Sequence, residues 1–229
     1  MKVTYIDHMG TDLSVVNAAR VSFNKESEAL DWDTVVDTGE YTCSPIPALM
    51  EKDKKLINYL AREEHTSPFN HAFISMHVKA PIFVARQLVK HKFMPWNEVS
   101  RRYVDEEPEF YVPKVWRGKS EDKKQGSEGV ADWPPEGTGS AYTMEHRMPA
   151  NAALYHRMID AGVCPEQARM VLPLNTYTEW HWSGTLGAWA DMYNLRAKPD
   201  TQLETQEIAK QCGHLIEPLF PVSWKALTK

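Results

Sequence analysis

Residues 71–102 read HAFISMHVKAPIFVARQLVKHKFMPWNEVSRR, and they set out a strand, a helix and a dense run of positive charge in that order. In the first eight of them the even positions Ala72, Ile74, Met76 and Val78 are apolar, while the odd positions are His71, Phe73, Ser75 and His77. Side chains alternate across a strand, so the pattern predicts a strand with one wholly apolar face. Pro81 suits the first turn of a following helix that carries Ile82, Phe83, Val84, Ala85 and Leu88. That helix delivers Arg86, Gln87 and Lys90 about one turn apart, and Gln87 and Lys90, at i and i+3, can meet one ligand.

Between residues 79 and 102 stand seven cationic or potentially cationic side chains (Lys79, Arg86, Lys90, His91, Lys92, Arg101, Arg102) against one acid, Glu98, in a chain of formal net charge −5. Short apolar runs separate the charges, so the segment is able to pack and reads as a folded pocket for an anion. A solvated basic face is the competing reading. The overall acidity argues against a protein that coats polyanions through a broad positive field.

The chain has 229 residues, 42% of them hydrophobic and 25% charged, which fits one folded domain and excludes disordered and fibrous classes. No apolar run nears the roughly 20 residues that cross a bilayer, and the N-terminus has no signal-peptide core. No membrane association and a cytoplasmic location are expected. Cys43, Cys164 and Cys212 lack CxxC spacing, which disfavours a disulfide framework or zinc knuckle and predicts reduced thiols.

Further elements follow from periodicity. Residues 3–6 predict a short strand, and Thr11 and Asp12 cap a helix through Arg20 with Leu13, Val16 and Ala19 on one face. Residues 24–47 predict a loop, with Pro47 near the first turn of a helix reaching Arg62. The glycines, prolines and charges of 117–140 predict a flexible loop or lid. A helix is expected over 141–161, broken near Pro149 and closed at Gly162, then a short helix between Pro165 and Pro173 that carries Arg169. Residues 176–182 predict a strand. Leu186, Trp189, Ala190 and Tyr193 predict a helix ending near Arg196, and Thr205, Ile208, Ala209, Cys212 and Ile216 predict a last helix stopping at Pro218. The sum is an α/β chain of the mixed α+β kind: a single compact domain, residues 1–229, with several helices around a small, mostly antiparallel sheet.

A nucleoside monophosphate presents a dianion at one end and a hydrogen-bonding base at the other. Arginine forks suit the first, while amides, carboxylates and backbone suit the second. Gln87, Lys90, Asn97, Glu98, Ser100, Arg101 and Arg102 supply all of these, and Glu98 among so many cations is expected to stay ionised.

The run from Lys90-His91-Lys92 through Asn97-Glu98-Val99-Ser100-Arg101-Arg102-Tyr103 resembles the signature of the flavin-dependent thymidylate synthases: Arg-His-Arg, a spacer, then Asn-Glu-x-Ser-x-Arg-Tyr. MGTDLSVVNAARVSF at 9–23, HTSPFNHAFISMHVKAPIFVARQ at 65–87, and the stretch from ARMVLPLNTYTEWHWS to NLRA ending at Ala197 are also similar to that family. The resemblance implies the family's fold and a reductive methylation of dUMP to dTMP. The implied one-carbon donor is methylenetetrahydrofolate and the implied cofactor is FAD reduced by NADPH, in a homotetramer with shared active sites. It implies nucleotide contacts from Gln87, Lys90, Glu98, Val99, Ser100, Arg101, Arg102 and Arg169. Ser67, Lys90, His91, Lys92 and Glu98 would line the flavin, with His65 near flavin or folate, and Thr185 and Asp191 fall at flavin-contacting positions. Arg196 matches the arginine that polarises the uracil ring and favours loss of its N3 proton.

On physical grounds alone Arg196 has two readings: a guanidinium that stabilises an imide anion, or a cation closing a helix C-terminus. Departures from the family pattern cluster at the cofactor positions. Lys90 and Lys92 replace arginines, and lysine, a point charge, lacks the bidentate fork. Asn70 stands in place of glutamate, Pro95 of serine, and Thr185 and Asp191 of asparagines.

Three further readings stay open. Transfer of a hydroxymethyl group to a pyrimidine nucleotide would keep the nucleotide pocket and relax the need for flavin. Cys164, beside Pro165 and a turn from Arg169, could serve as a nucleophile. A nucleic-acid binder could use the 90–102 patch together with exposed aromatics around Trp180 and Trp182. His65, His71 and His77 recur every six residues, but no carboxylate or cysteine falls at ligand spacing beside them, so no metal is expected.

Overall fold

In the computed structural model, which describes residues 1–29, 32–34, 46–103, 106–121 and 126–228, sixteen strands and α-helices follow one another. They are β1 (Lys2–Met9), α1 (Asp12–Arg20), β2 (Trp32–Thr34), β3 (Ile46–Pro47), α2 (Glu51–Arg62), β4 (Phe73–Pro81), α3 (Ile82–Leu88) and β5 (Trp96–Glu98), then β6 (Arg117–Lys119), β7 (Ser127–Val130), α4 (Met144–Asp160), α5 (Pro165–Ala168), β8 (Tyr177–Thr185), α6 (Leu186–Arg196), α7 (Leu203–Ile216) and α8 (Pro221–Leu227). The main sheet runs β1-β4-β8-β5 with every neighbour antiparallel. This is the mixed α and β single domain that the sequence predicts.

The alternation at 71–78 decides how the sheet is covered. Ile74, Met76, Val78 and Ala80 are fully buried, and their register partners on β8 are Gly184, Trp182, Trp180 and Thr178. Burial of each large aliphatic side chain here contributes roughly 1.5–3 kcal/mol. Leu186, Trp189 and Met192 of α6 and Ile208, Ala209, Cys212 and Ile216 of α7 belong to the same core, and Trp189 Nε1 donates to the Ile74 carbonyl across 3.2 Å. The opposite face is polar. Ser75 and Ser183 share a hydrogen bond of 2.9 Å, the His77 and His181 rings meet edge to face, and Lys79 pairs with Glu179 at 3.3 Å.

Several expectations shift in the structure. Pro47 does not open α2; it lies in β3 opposite Trp32, because its fixed φ suits extended backbone, and the helix starts where Glu51 and Asp53 meet its positive N-terminal end. Pro149 does not break α4, which runs through it from Met144 to Asp160; the missing N–H falls in the second turn, and 140–142 forms a separate 3₁₀ turn. Residues 96–98, to which the sequence pattern assigns no element, form β5 on the edge of β8, with Glu98 opposite Trp180. Within 117–140, β6 and β7 pair into a ribbon, while residues 122–125 lie outside the described residues. Residues 30, 31 and 35–45 of the expected 24–47 loop, including Cys43, also lie outside them.

Pro218 does end α7, but the chain then makes α8, whose Val222 and Ser223 N–H groups donate to the buried Asp12 carboxylate at 2.8 and 2.9 Å. Gly162 takes the left-handed conformation (φ +83°) that closes α4. Among the described residues no helix is long and apolar enough to cross a membrane.

Candidate functional site

The structure gathers the expected nucleotide residues into two groups. The first lies where the end of α3 meets the ends of α6 and α7. Arg196, half-buried at the close of α6, donates from Nε to His91 Nε2 at 3.0 Å and from Nη2 to the Gln87 carbonyl at 3.1 Å. Burial, reinforced by the Arg196 charge, pushes the His91 pKa down to about 4. The imidazole is therefore neutral near pH 7, with Nε2 as acceptor and its proton on Nδ1. Arg196 is itself pushed down by burial. The helix C-terminus accounts for its position but not for these two bonds, which aim the guanidinium.

The Gln87 side chain is held from the other side. Its amide donates to Gln202 Oε1, its carbonyl accepts from Thr205 Oγ1 at 3.2 Å, and Gln202 Nε2 donates to Glu204 Oε2 at 3.1 Å. Glu204, almost wholly buried, receives Arg117 Nη2 on both oxygens at 2.9 and 2.8 Å and the Tyr111 hydroxyl at 3.1 Å. Burial raises the Glu204 pKa, but the Arg117 bonds and charge outweigh it and hold the carboxyl below the usual range. The Tyr111 phenol is pushed up to about 12, by burial first and then by Glu204. Gln202, Glu204, Thr205, Arg117 and Tyr111 were not legible in the sequence as site residues; they lie up to 118 positions from Gln87.

The second group lines a cleft of about 340 Å³ between β5, the end of β4 and the short helices after α4. Glu98, Val99, Arg101 and Arg169 all face it. Glu98 accepts from Thr178 Oγ1 at 2.8 Å and Trp96 Nε1 at 3.1 Å, so its fixed partners are neutral donors and not the cations expected beside it. Edge pairing sets this geometry: β5 lies on β8, and the Val99 N–H continues to the Glu179 carbonyl at 2.9 Å. Arg101 Nη1 donates to the Glu106 carbonyl at 2.6 Å, and Ser100 Oγ accepts from Arg102 N and Nε, each at 3.3 Å. Glu106, Glu107, Glu109 and Glu179 also line the cleft, and Lys79 is drawn onto Glu109 at 2.6 Å. The basic stretch is thus not one uniform positive pocket. Among the described residues no hydrogen bond or ion pair joins the two groups.

The expected cofactor residues split along α6. At its start, Thr185 caps the helix by accepting from the Ala188 N–H at 3.2 Å and donates to Asn70 Oδ1 at 2.8 Å, in the 3₁₀ turn that begins at Ser67. Gly187 is pressed against this turn: a Cβ there would lie 2.9 Å from Asn70 Oδ1. Asp191 is exposed, its carboxyl pushed up by partial burial. His65 stands edge-on to Tyr59, with 5.9 Å between ring centroids. The far end of α6, roughly 16 Å away at 1.5 Å per residue, is the Arg196–His91 contact. Lys90 and Lys92 flank His91, both exposed and making no ion pair among the described residues.

A model of the family described as "Thymidylate synthase complementing protein" matches residues 4–222. The chain is 35% identical over 224 residues to a flavin-dependent thymidylate synthase of Thermus thermophilus, covering 98% of this chain and 74% of that one. The chain belongs to the flavin-dependent thymidylate synthase family. It is therefore an enzyme of the methyltransferase class. The flavin-dependent thymidylate synthase of Thermotoga neapolitana is also 35% identical, covering 99% of this chain and 90% of that one. In solved structures, the UMP/dUMP methylase PolB from Streptomyces cacaoi bound with 5-Br dUMP superimposes with a TM-score of 0.77 at 29% identity, covering 98% of this chain and 93% of that one.

Two of the open readings weaken against this geometry. Trp180 and Trp182 are buried, Trp180 stacked on Trp96 at 4.3 Å and Trp182 edge-on to Trp189 at 4.8 Å, so neither offers the exposed ring face that a single-strand binder needs. Cys164 is exposed just before α5 and its thiol makes no hydrogen bond among the described residues, whereas Cys212 is buried in the core with its thiol pKa pushed up. In this flavin-dependent thymidylate synthase family member, neither of these thiols is hydrogen-bonded to a base among the described residues.

Proposed function

We propose that this chain methylates dUMP to dTMP, taking the one-carbon unit from methylenetetrahydrofolate, with FAD as cofactor and NADPH as reductant. The observation that carries the reading is Arg196: a half-buried guanidinium aimed by a neutral His91 and the Gln87 carbonyl, with Nη1 making no hydrogen bond among the described residues. A fixed cation facing a uracil ring stabilises the charge that develops as the N3 proton leaves, and it needs no reorganisation to do so. Arg101, Arg102, Arg169, Ser100 and Lys90 supply donors for the phosphate. Glu98, held by Thr178 and Trp96, offers an oriented acceptor, and the Val99 backbone and Gln87 side chain complete the nucleotide contacts.

The residues present fit a flavin. A dinucleotide requires cations at its pyrophosphate, and Lys90 and Lys92 are exposed without ion-pair partners among the described residues. Gly187 lets the start of α6 pack directly on the Asn70 turn, which fixes Thr185 and the turn beginning at Ser67 against each other. Ser67, Thr185 and His65 belong to the start of α6 and its facing turn and His91 to its far end, while Glu98 would reach the flavin from the β5 cleft. When bound, the flavin supplies the hydride chemistry that takes the one-carbon unit to the methyl level.

The two nucleotide groups of one chain meet in this reading by association. One copy gives Gln87, Lys90 and Arg196 and a neighbour gives residues 98–102 and Arg169, in a homotetramer with shared active sites. Relatives named flavin-dependent thymidylate synthases and a neighbour named a UMP/dUMP methylase support the reaction and substrate. The test is turnover with purified protein, dUMP and methylenetetrahydrofolate, with FAD and NADPH each present or withheld. Formation of dTMP only with all components is expected. No dTMP, or a 5-hydroxymethyl product indifferent to NADPH and flavin, would overturn the reading.

A further inference from the structure

A carboxamide can be turned end for end with almost no change in shape, so its polarity must be set by a neighbour whose own polarity cannot reverse. Glu204 is such a neighbour. Ionised, its carboxylate only accepts, and Arg117 and Tyr111 donate to it at 2.8–3.1 Å. Gln202 must therefore turn its NH2 toward Glu204, at 3.1 Å, which leaves its carbonyl toward Gln87. Gln87 in turn presents its NH2 to Gln202 and its carbonyl to the buried Thr205 hydroxyl, at 3.2 Å. Each link follows from the one before. The Gln87 backbone carbonyl meanwhile accepts from Arg196, so the same residue ties the chain of amides to the guanidinium.

We propose that Glu204, through Gln202, is a positioning residue that fixes which end of the Gln87 carboxamide faces the nucleotide. Gln87 commits one of its two N–H donors to Gln202 and one acceptor lone pair to Thr205, and the remaining donor and lone pair point where this fixed orientation sends them. Arg117, which opens the β6–β7 ribbon, holds the far end of the chain, so the ribbon is coupled to the nucleotide group through one ion pair whose carboxylate is buried and whose guanidinium is partly exposed. The inference rests on Gln87 touching the nucleotide, as proposed above.

The test is a double-mutant cycle read by dUMP calorimetry and steady-state kinetics. Glu204→Gln keeps the shape and removes the fixed polarity. Gln202→Met interrupts the chain one link later and leaves the Arg117–Glu204 pair whole, so one variant remains informative if the other fails to fold. Each is expected to raise the Kd for dUMP roughly tenfold, about one oriented hydrogen bond, with KM rising more than kcat falls. In a Gln87→Ala background the same changes are expected to alter Kd by less than about twofold. Penalties that add fully to that of Gln87→Ala, or an unchanged Kd in folded Gln202→Met, would overturn the relay while leaving the dUMP reading intact. A wild-type protein that takes up no dUMP would overturn both.

Discussion

His91 lies in a stretch so rich in cations that its charge looks at first like one more contribution to anion binding. Its pKa of about 4 reverses that expectation: burial, then the Arg196 charge, keeps the ring neutral so that it accepts from the guanidinium. The sign of the pH effect follows. With the folded value below the ordinary 6.5, the unfolded chain binds the proton more readily, so the contribution to stability is complete above about pH 6.5 and declines as pH falls toward 4. Ring-proton NMR of the wild type should give a His91 midpoint near 4, and the acid-induced fall in melting temperature over that window should be shallower in His91→Gln. A His91 midpoint near 6.5 would contradict the arrangement.

Among the elements, α8 and β5 show where pattern ceases to inform. The seven residues of α8 are held at their start by Asp12, 210 positions from Val222, which receives two N–H groups in the core. Asp12→Ala should cost roughly 1–2 kcal/mol, the usual worth of a helix cap. In urea the midpoint should fall with an unchanged slope; a loss below about 0.5 kcal/mol would mean that the cap contributes nothing. The period-two pattern of β4 and the helical pattern of α6 were legible because each buries a continuous face, and local sequence alone dictates which residues share it. β5 was not legible: three residues carry no period, and their strand conformation comes from pairing with Trp180, His181 and Trp182. The same limit hid the site partners. Nothing near Glu98 in sequence announces Thr178, and nothing near Gln87 announces Gln202, because tertiary pairing across the sheet and between α3 and the start of α7 creates both contacts.

At the scale of the whole molecule, the fold presents the Arg196 group and the Glu98–Arg169 cleft as two partial sites, and the nucleotide is proposed to need both. On that proposal association of copies becomes part of the chemistry, each active site drawing one half from each of two neighbours. The measurement that tests this most directly is recovery of activity on mixing Arg196→Ala with Arg169→Ala, each inactive alone, under conditions in which subunits exchange. A shared site predicts that activity returns to roughly a quarter of wild type, the share of sites that draw an intact half from each copy under random exchange. Folded, exchanging mixtures that stay inactive would contradict it.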